Sequence, residues 1–116
     1  MYRRLQPLLT VQNLLGEATF YRNLGFALIE FGSDSVTVAY EESVLFGLVH
    51  SDDFDPDAAN QFLSWQFGVE SVEAIYQICR EKQIEPLELP ALQSWGEWIL
   101  KLSSPNGYVV IFEGGQ

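Results

Sequence analysis

Short runs in which every second residue is hydrophobic are interrupted twice along this chain by stretches with helical spacing, and each predicts an element. Residues 6–11 alternate as a strand, with Pro7 near its start, where a missing N–H is best tolerated. Asn13 suits a helix N-cap, and Leu14, Ala18 and Tyr21 mark one face of a helix over 14–23. Phe20 and Leu24 widen that face, and Gly25 ends the helix through its access to positive φ. Strands follow over 26–31, 36–40 and 44–50, separated by Gly32-Ser33-Asp34 and Glu41-Glu42-Ser43, both suited to hairpin connections. Segment 51–60 is acidic, carries Pro56 and reads as a linker. The pattern then restarts. A strand over 62–69 leads to a helix with Val72, Ile75, Tyr76 and Cys79 on one face, and then to a strand over 84–89 bounded by Pro86 and Pro90. A hairpin of 98–102 and 108–112 closes the chain around the turn Ser104-Pro105-Asn106-Gly107.

Each half therefore reads strand, helix and three strands. Val11 matches Val69 and Phe26 matches Ile84 at one offset, 58, half of the 116 residues, which marks an internal duplication of pattern. The expected fold is α+β and a single domain: a βαβββ module over about 4–50, the acidic linker 51–60, and a second βαβββ module over about 61–114. One helix per half covers one sheet face. Two such modules can curve a mixed sheet around a shared concave cavity, the natural ligand site of this architecture.

Charge narrows the function. Sixteen acidic residues against six basic give a net charge of −10, which repels nucleic-acid backbones and anionic membrane surfaces. Six carboxylates (Glu41, Glu42, Asp52, Asp53, Asp55 and Asp57) crowd into one stretch; they serve solubility or draw in a cationic ligand. The single cysteine, Cys79, excludes an internal disulfide and suits a reducing cytosol. No apolar run approaches the ~20 residues of a membrane span. Met1-Tyr2-Arg3-Arg4 leads directly into a short alternating segment, so a cytoplasmic protein is expected.

Catalytic machinery is not evident. Cys79 lies on the apolar stripe of the second helix and reads as a buried thiol. A nucleophile elbow, a phosphate-binding glycine loop and a Cys-x-x-Cys pair are all missing from the sequence. Aromatic residues, 14% of the chain, point instead to binding. In the fifth strand Leu63, Trp65, Phe67 and Val69 share the face expected to pack under the helix, with ligand contact the second reading of Trp65. Phe62, Ser64, Gln66 and Gly68 share the other face, a mixture suited to a cavity wall. Trp95, beside Gly96 at a loop end, offers a flat surface for stacking on an aromatic or cationic ligand. Phe31 at a strand end is comparable, and Glu97 adds negative charge.

Two motifs carry a family resemblance. Phe20-Tyr21-Arg22-Asn23-Leu24-Gly25-Phe26 resembles the Phe-Tyr…Leu-Gly-Phe helix end of the vicinal-oxygen-chelate superfamily, which includes glyoxalase I, extradiol dioxygenases and bleomycin-resistance proteins. Trp95-Gly96 with Ser104-Pro105-Asn106-Gly107 resembles its Trp-Gly…Asp-Pro-x-Gly hairpin, with Ser104 in place of Asp. Gln6-Pro7-Leu8-Leu9-Thr10-Val11 and Leu92-Gln93-Ser94-Trp95-Gly96 are most similar to the bleomycin-resistance branch. That likeness implies a homodimer, often with an exchanged N-terminal strand, that binds drug in clefts between subunits. Pro7 fits a swap hinge or an ordinary strand-edge proline equally well.

Enzymes of the superfamily hold a divalent metal with His, Glu or Gln on concave strand faces. The matching positions here are Gln6, Phe46, Ser64 and Ile111, of which Phe46 and Ile111 have no donor atom. The only histidine, His50, shares the alternation of Phe46 and Leu48 and reads as exposed or hydrogen-bonded at a strand end; Glu113 reads as a surface carboxylate. No metal, cofactor or catalytic residue is therefore assigned. The expected function is metal-free sequestration of a planar, cationic drug-like ligand without turnover, at a site of Phe31, Phe46, Leu48, Phe62, Ser64, Trp95, Glu97 and Ile111. The competing readings are a metal-dependent glyoxalase- or dioxygenase-type enzyme and a dimeric module with no small-molecule role.

Overall fold

The computed structural model describes residues 1–58 and 63–116 in two compact units, Met1–Phe54 and Asp55–Gln116. In the first, β1 (Leu8–Val11) leads to α1 (Leu14–Asn23), β2 (Ala27–Ile29), β3 (Ser35–Tyr40) and β4 (Ser43–His50). These strands form one sheet in the order β1-β4-β3-β2, with β1 parallel to β4 and the other pairs antiparallel. The second unit has β5 (Ser64–Ser71), α2 (Val72–Glu81), β6 (Ala91–Leu92), β7 (Trp98–Ser103) and β8 (Val109–Gly115). Its sheet runs β5-β8-β7-β6, with the same single parallel pair. The fold is thus α+β, built from two βαβββ units.

The duplication is close through the helices. Asn13 caps α1 by accepting from the Gly16 N–H, and Ser71 caps α2 by accepting from the Ala74 N–H. Both caps and both helices lie 58 residues apart. Gly25 (φ 103°) and Gln83 (φ 59°) then turn the chain in the left-handed region, again 58 apart. The Phe26 N–H donates to the Tyr21 carbonyl at 3.1 Å, and the Ile84 N–H donates to the Cys79 carbonyl at 2.8 Å.

Each sheet carries its helix on one face. In the first unit Leu9, Val11, Val36, Val38, Phe46 and Leu48 are buried. Across from them stands Tyr21 of α1, fully buried, with its ring centroid 5.0 Å from that of Phe46. In the second unit Leu100, Leu102, Val110 and Phe112 are buried with Val72 and Cys79 of α2, and Phe67 stacks on Phe112 at 5.6 Å. Burying a side chain of this size contributes roughly 1.5–3 kcal/mol, so these faces hold each unit together.

Several expectations need correction. The strand expected over 84–89 does not form; β6 is the two-residue Ala91–Leu92. Pro86 and Pro90 have no N–H to give a ladder, and this stretch bonds the sheet edge through the Leu87 N–H and the Lys101 carbonyl (2.9 Å). β2 stops at Ile29 rather than at residue 31, because Glu30 takes φ 52°. The segment read wholly as linker contains helical residues at 56–58. There Asp55 accepts from the Asp57 N–H at 3.0 Å, and Pro56 fits a first helical position. The strand expected from residue 62 is described from Ser64, and Phe62 lies outside the described residues.

Candidate functional site

Strand register decides which side chains leave the core. Opposed residues on neighbouring strands project to the same face. In the second unit Gln66, Ile111 and Lys101 therefore form one row, Gly68, Glu113 and Ile99 the next, and Ser64, Val109 and Ser103 a third. All nine lie on the face opposite α2, because the alternate residues Phe67, Phe112 and Leu100 point to the helix. The hairpin that sets this register is closed by Ser104, whose hydroxyl accepts from the Tyr108 N–H at 3.0 Å, while Gly107 turns at φ 91°. Serine thus supplies the acceptor that an aspartate would supply at this position.

The space above one glycine on each of the two helix-free sheet faces differs. On the first sheet a Cβ at Gly47 would meet Gln6 Nε2 and Leu8 Cδ2, both at 2.7 Å, so those side chains occupy the space above the glycine. Nearby, Arg4 donates to Glu30 at 2.8 Å. The Arg4 guanidinium and the Thr37 hydroxyl hold the Glu30 carboxyl below the usual range. On the second sheet a Cβ at Gly68 would meet nothing within 4 Å, leaving open space beside Glu113. A cavity of about 140 Å³ adjoins this face, lined by Ile99, Lys101, Ala91, Gln93, Glu88 and Leu89.

Two of the expected site residues, Ser64 and Ile111, lie on this open face in neighbouring rows. Ser64 is exposed and Ile111 half-buried. Trp95 stands 61% exposed at the tip of the β6–β7 hairpin, where Gly96 turns at φ 94°. Glu97 is half-buried at its foot, its carbonyl accepting from the Gln93 N–H at 2.8 Å. Phe31 is 72% exposed in the loop after β2, in the other unit. Phe46 and Leu48 are corrected: they lie in the α1-covered core, 1% and 0% exposed, not on an open face.

The cause is a β-bulge. Val38 pairs with Phe46 but Ala39 pairs with Val44, so Leu45 is an extra residue that shifts the alternation. By register the first-sheet counterpart of Ile111 is Gly47, not Phe46, since Leu8 pairs with Gly47 and its duplicate Gln66 pairs with Ile111. Gln66, read from the sequence as part of a cavity wall, lies on this face, and so do Lys101 and Glu113, which the sequence reading did not assign to a site. Counting back from the 104–107 turn places Lys101 opposite Ile111, which is the signal that could have found it.

The divalent metal that the resemblance implies for enzymes does not fit these residues. Among the described residues no three His, Cys, Asp or Glu side chains gather in one place. Each open face offers neutral amide or hydroxyl oxygens and one carboxylate, and Glu30 is already bound to Arg4. His50 is engaged at the end of β4, with Nδ1 2.9 Å from the Gln12 carbonyl and Nε2 2.9 Å from Asp52. Both partners raise its pKa, Asp52 most. Burial pushes the Cys79 thiol up to about 11, so it stays protonated and a poor nucleophile. Among the described residues no helix is long and apolar enough to cross a membrane.

This fold is that of the glyoxalase/bleomycin-resistance/dioxygenase class of structures. A bleomycin resistance determinant encoded on the transposon Tn5 is 20% identical, with 99% of each chain covered and a TM-score of 0.78. A bleomycin-binding protein, solved in complex with bleomycin, is also 20% identical, covering 99% of this chain and 100% of that one at a TM-score of 0.76. A glyoxalase/bleomycin resistance protein/dioxygenase from Alicyclobacillus acidocaldarius is 15% identical, over 97% and 91% of the two chains, at 0.77. These likenesses establish the fold. No protein-family model matches the sequence, and neither does any curated protein.

Proposed function

We propose that the protein binds a planar, cationic, drug-like molecule on the open face of the second sheet and sequesters it without turnover. The observation that carries this reading is the make-up of that face. Ile111, Val109 and Ile99 supply apolar surface, and Ser64, Gln66, Glu113 and Lys101 stand around it with hydrogen-bonding groups, one negative charge and one positive charge. A flat ligand loses water against this surface and is oriented by the few polar groups around it. Glu113, beside the open space at Gly68, is the charge partner for a cation, and the net charge of −10 favours its approach. Trp95 at the hairpin tip supplies a further flat surface. The fold shared with a bleomycin-binding protein supports this ligand class, and a homodimer belongs to the same proposal.

The test is a tryptophan-fluorescence titration with metal-free bleomycin at low and high salt. Saturable quenching at one ligand per chain, weakened by salt and reduced in Trp95→Phe, is the expected result. A flat titration at millimolar ligand would remove bleomycin as the ligand, and the same outcome across a set of planar cations would overturn the reading.

A further inference from the structure

The duplication makes each unit a reference for the other, and one place breaks the match. Tyr21 and Cys79 are equivalent, as are Phe26 and Ile84, by helix position and by their matching backbone bonds. In the first unit the gap between the helix end and the following chain is filled by aromatic rings. Tyr21 is fully buried, with ring centroids 5.2 Å from Phe20, 5.9 Å from Phe26 and 5.0 Å from Phe46. In the second unit the small Cys79 and the aliphatic Ile84 stand in place of two aromatic rings.

The chain spacing changes beyond this point. The offset between the units is 58 at the helices but 64 at the last strands, where Gly47 corresponds to Ile111. Two of the six added residues fall between Leu87 and Ala91 and four in the turn between β6 and β7. Beside these thinner side chains, a groove of about 550 Å³ lies between α2 and the strand-free residues 84–89. That volume is within the range of small-molecule sites.

We infer that this groove is a second ligand site, separate from the open sheet face, for a small organic cation with an apolar body. The α2 wall presents the half-buried Tyr76 above the buried Cys79; the opposite wall presents Ile84, Pro86 and Leu87. Leu87 is 53% exposed and gains cover from an apolar body. Two exposed carboxylates, Glu85 and Glu88, also line the groove, against one guanidinium, Arg80. Arg80 lies in the last turn of α2, where the helix dipole favours a cation and accounts for it. The remaining field is negative, and a Tyr76 ring face attracts an ammonium further.

Phenethylammonium is the probe, with 3-phenylpropionate as the anion of similar shape, both followed by ¹H–¹⁵N spectra of the whole chain. Saturable shifts of the Tyr76, Arg80, Ile84 and Leu87 amides with the cation are expected, with the anion at least tenfold weaker. The surface variant Glu85→Gln/Glu88→Gln should lower the cation's affinity several-fold. Ile84→Phe, which copies the first unit, should abolish binding while the spectrum stays folded. Equal binding of the anion, no saturable shift at these amides, or unchanged affinity in either folded variant would overturn the inference. Shifts confined to Ser64, Ile111 and Glu113 would also overturn it and leave the open-face site standing.

Discussion

The imidazole of His50 sits between two oxygens that can only accept, the Gln12 carbonyl and the Asp52 carboxylate, each 2.9 Å from a ring nitrogen. Only the imidazolium, with both nitrogens protonated, donates to both. Its pKa is therefore raised in the folded chain, with Asp52 as the largest cause and the Asp34 charge adding to it. The sign follows from linkage: the stabilisation is fully present below the ordinary histidine value of about 6.5 and is lost as pH rises through the folded value. An NMR titration of the His50 ring should give a pKa above that ordinary value, and Asp52→Asn should bring it down. An unchanged pKa in the variant would contradict the pairing. Gln83 is a second informative residue, because it holds φ 59° where the duplicate position has Gly25. Gln83→Gly should stabilise the protein by roughly 0.5–1 kcal/mol in urea unfolding, since glycine enters the left-handed region without strain.

At the scale of elements, the helices were legible because capping and 3.6-residue spacing act locally. Asn13 with Leu14, Ala18 and Tyr21 requires nothing from the rest of the chain. Strand register was legible only in part. Val44, Phe46, Leu48 and His50 share one parity in the sequence, but the bulge at Leu45 sends Val44 to the face of Ala39 and leaves Phe46 with Val38 under the helix. A bulge leaves no mark on hydrophobic alternation, so Phe46 and Leu48 were expected on a ligand face and belong to the core. The 84–89 stretch failed differently: its hydrophobic residues alternate, yet two prolines remove donors that a ladder needs. These placements separate core from site experimentally. Phe46→Ala should cost about 3–5 kcal/mol, as for a large ring removed from a packed interior. Ile111→Ala, on the half-buried open face, should cost only about 1 kcal/mol. Comparable losses from the two would contradict the assigned register.

For the whole molecule, the duplication was legible in the sequence through the constant offset of 58, and the two units share it through helix, cap and left-handed turn. Their differences were less legible because they depend on packing across each sheet. Gln6 and Leu8 fill the space above Gly47, whereas the space beside Gly68 stays open. This asymmetry directs the functional reading to the second sheet and to Glu113, a residue that sequence alone placed on the surface. Composition contributed the proposed sign of the ligand charge through the net −10, and the aromatic content contributed the expectation of binding. The measurement that tests this account most directly is a map of backbone amide shifts during titration with metal-free bleomycin. Saturable shifts centred on Ser64, Gln66, Ile111 and Glu113, weakened several-fold in Glu113→Gln, are the predicted result. Saturation with no shift at these four positions would place the ligand elsewhere and contradict the open-face site.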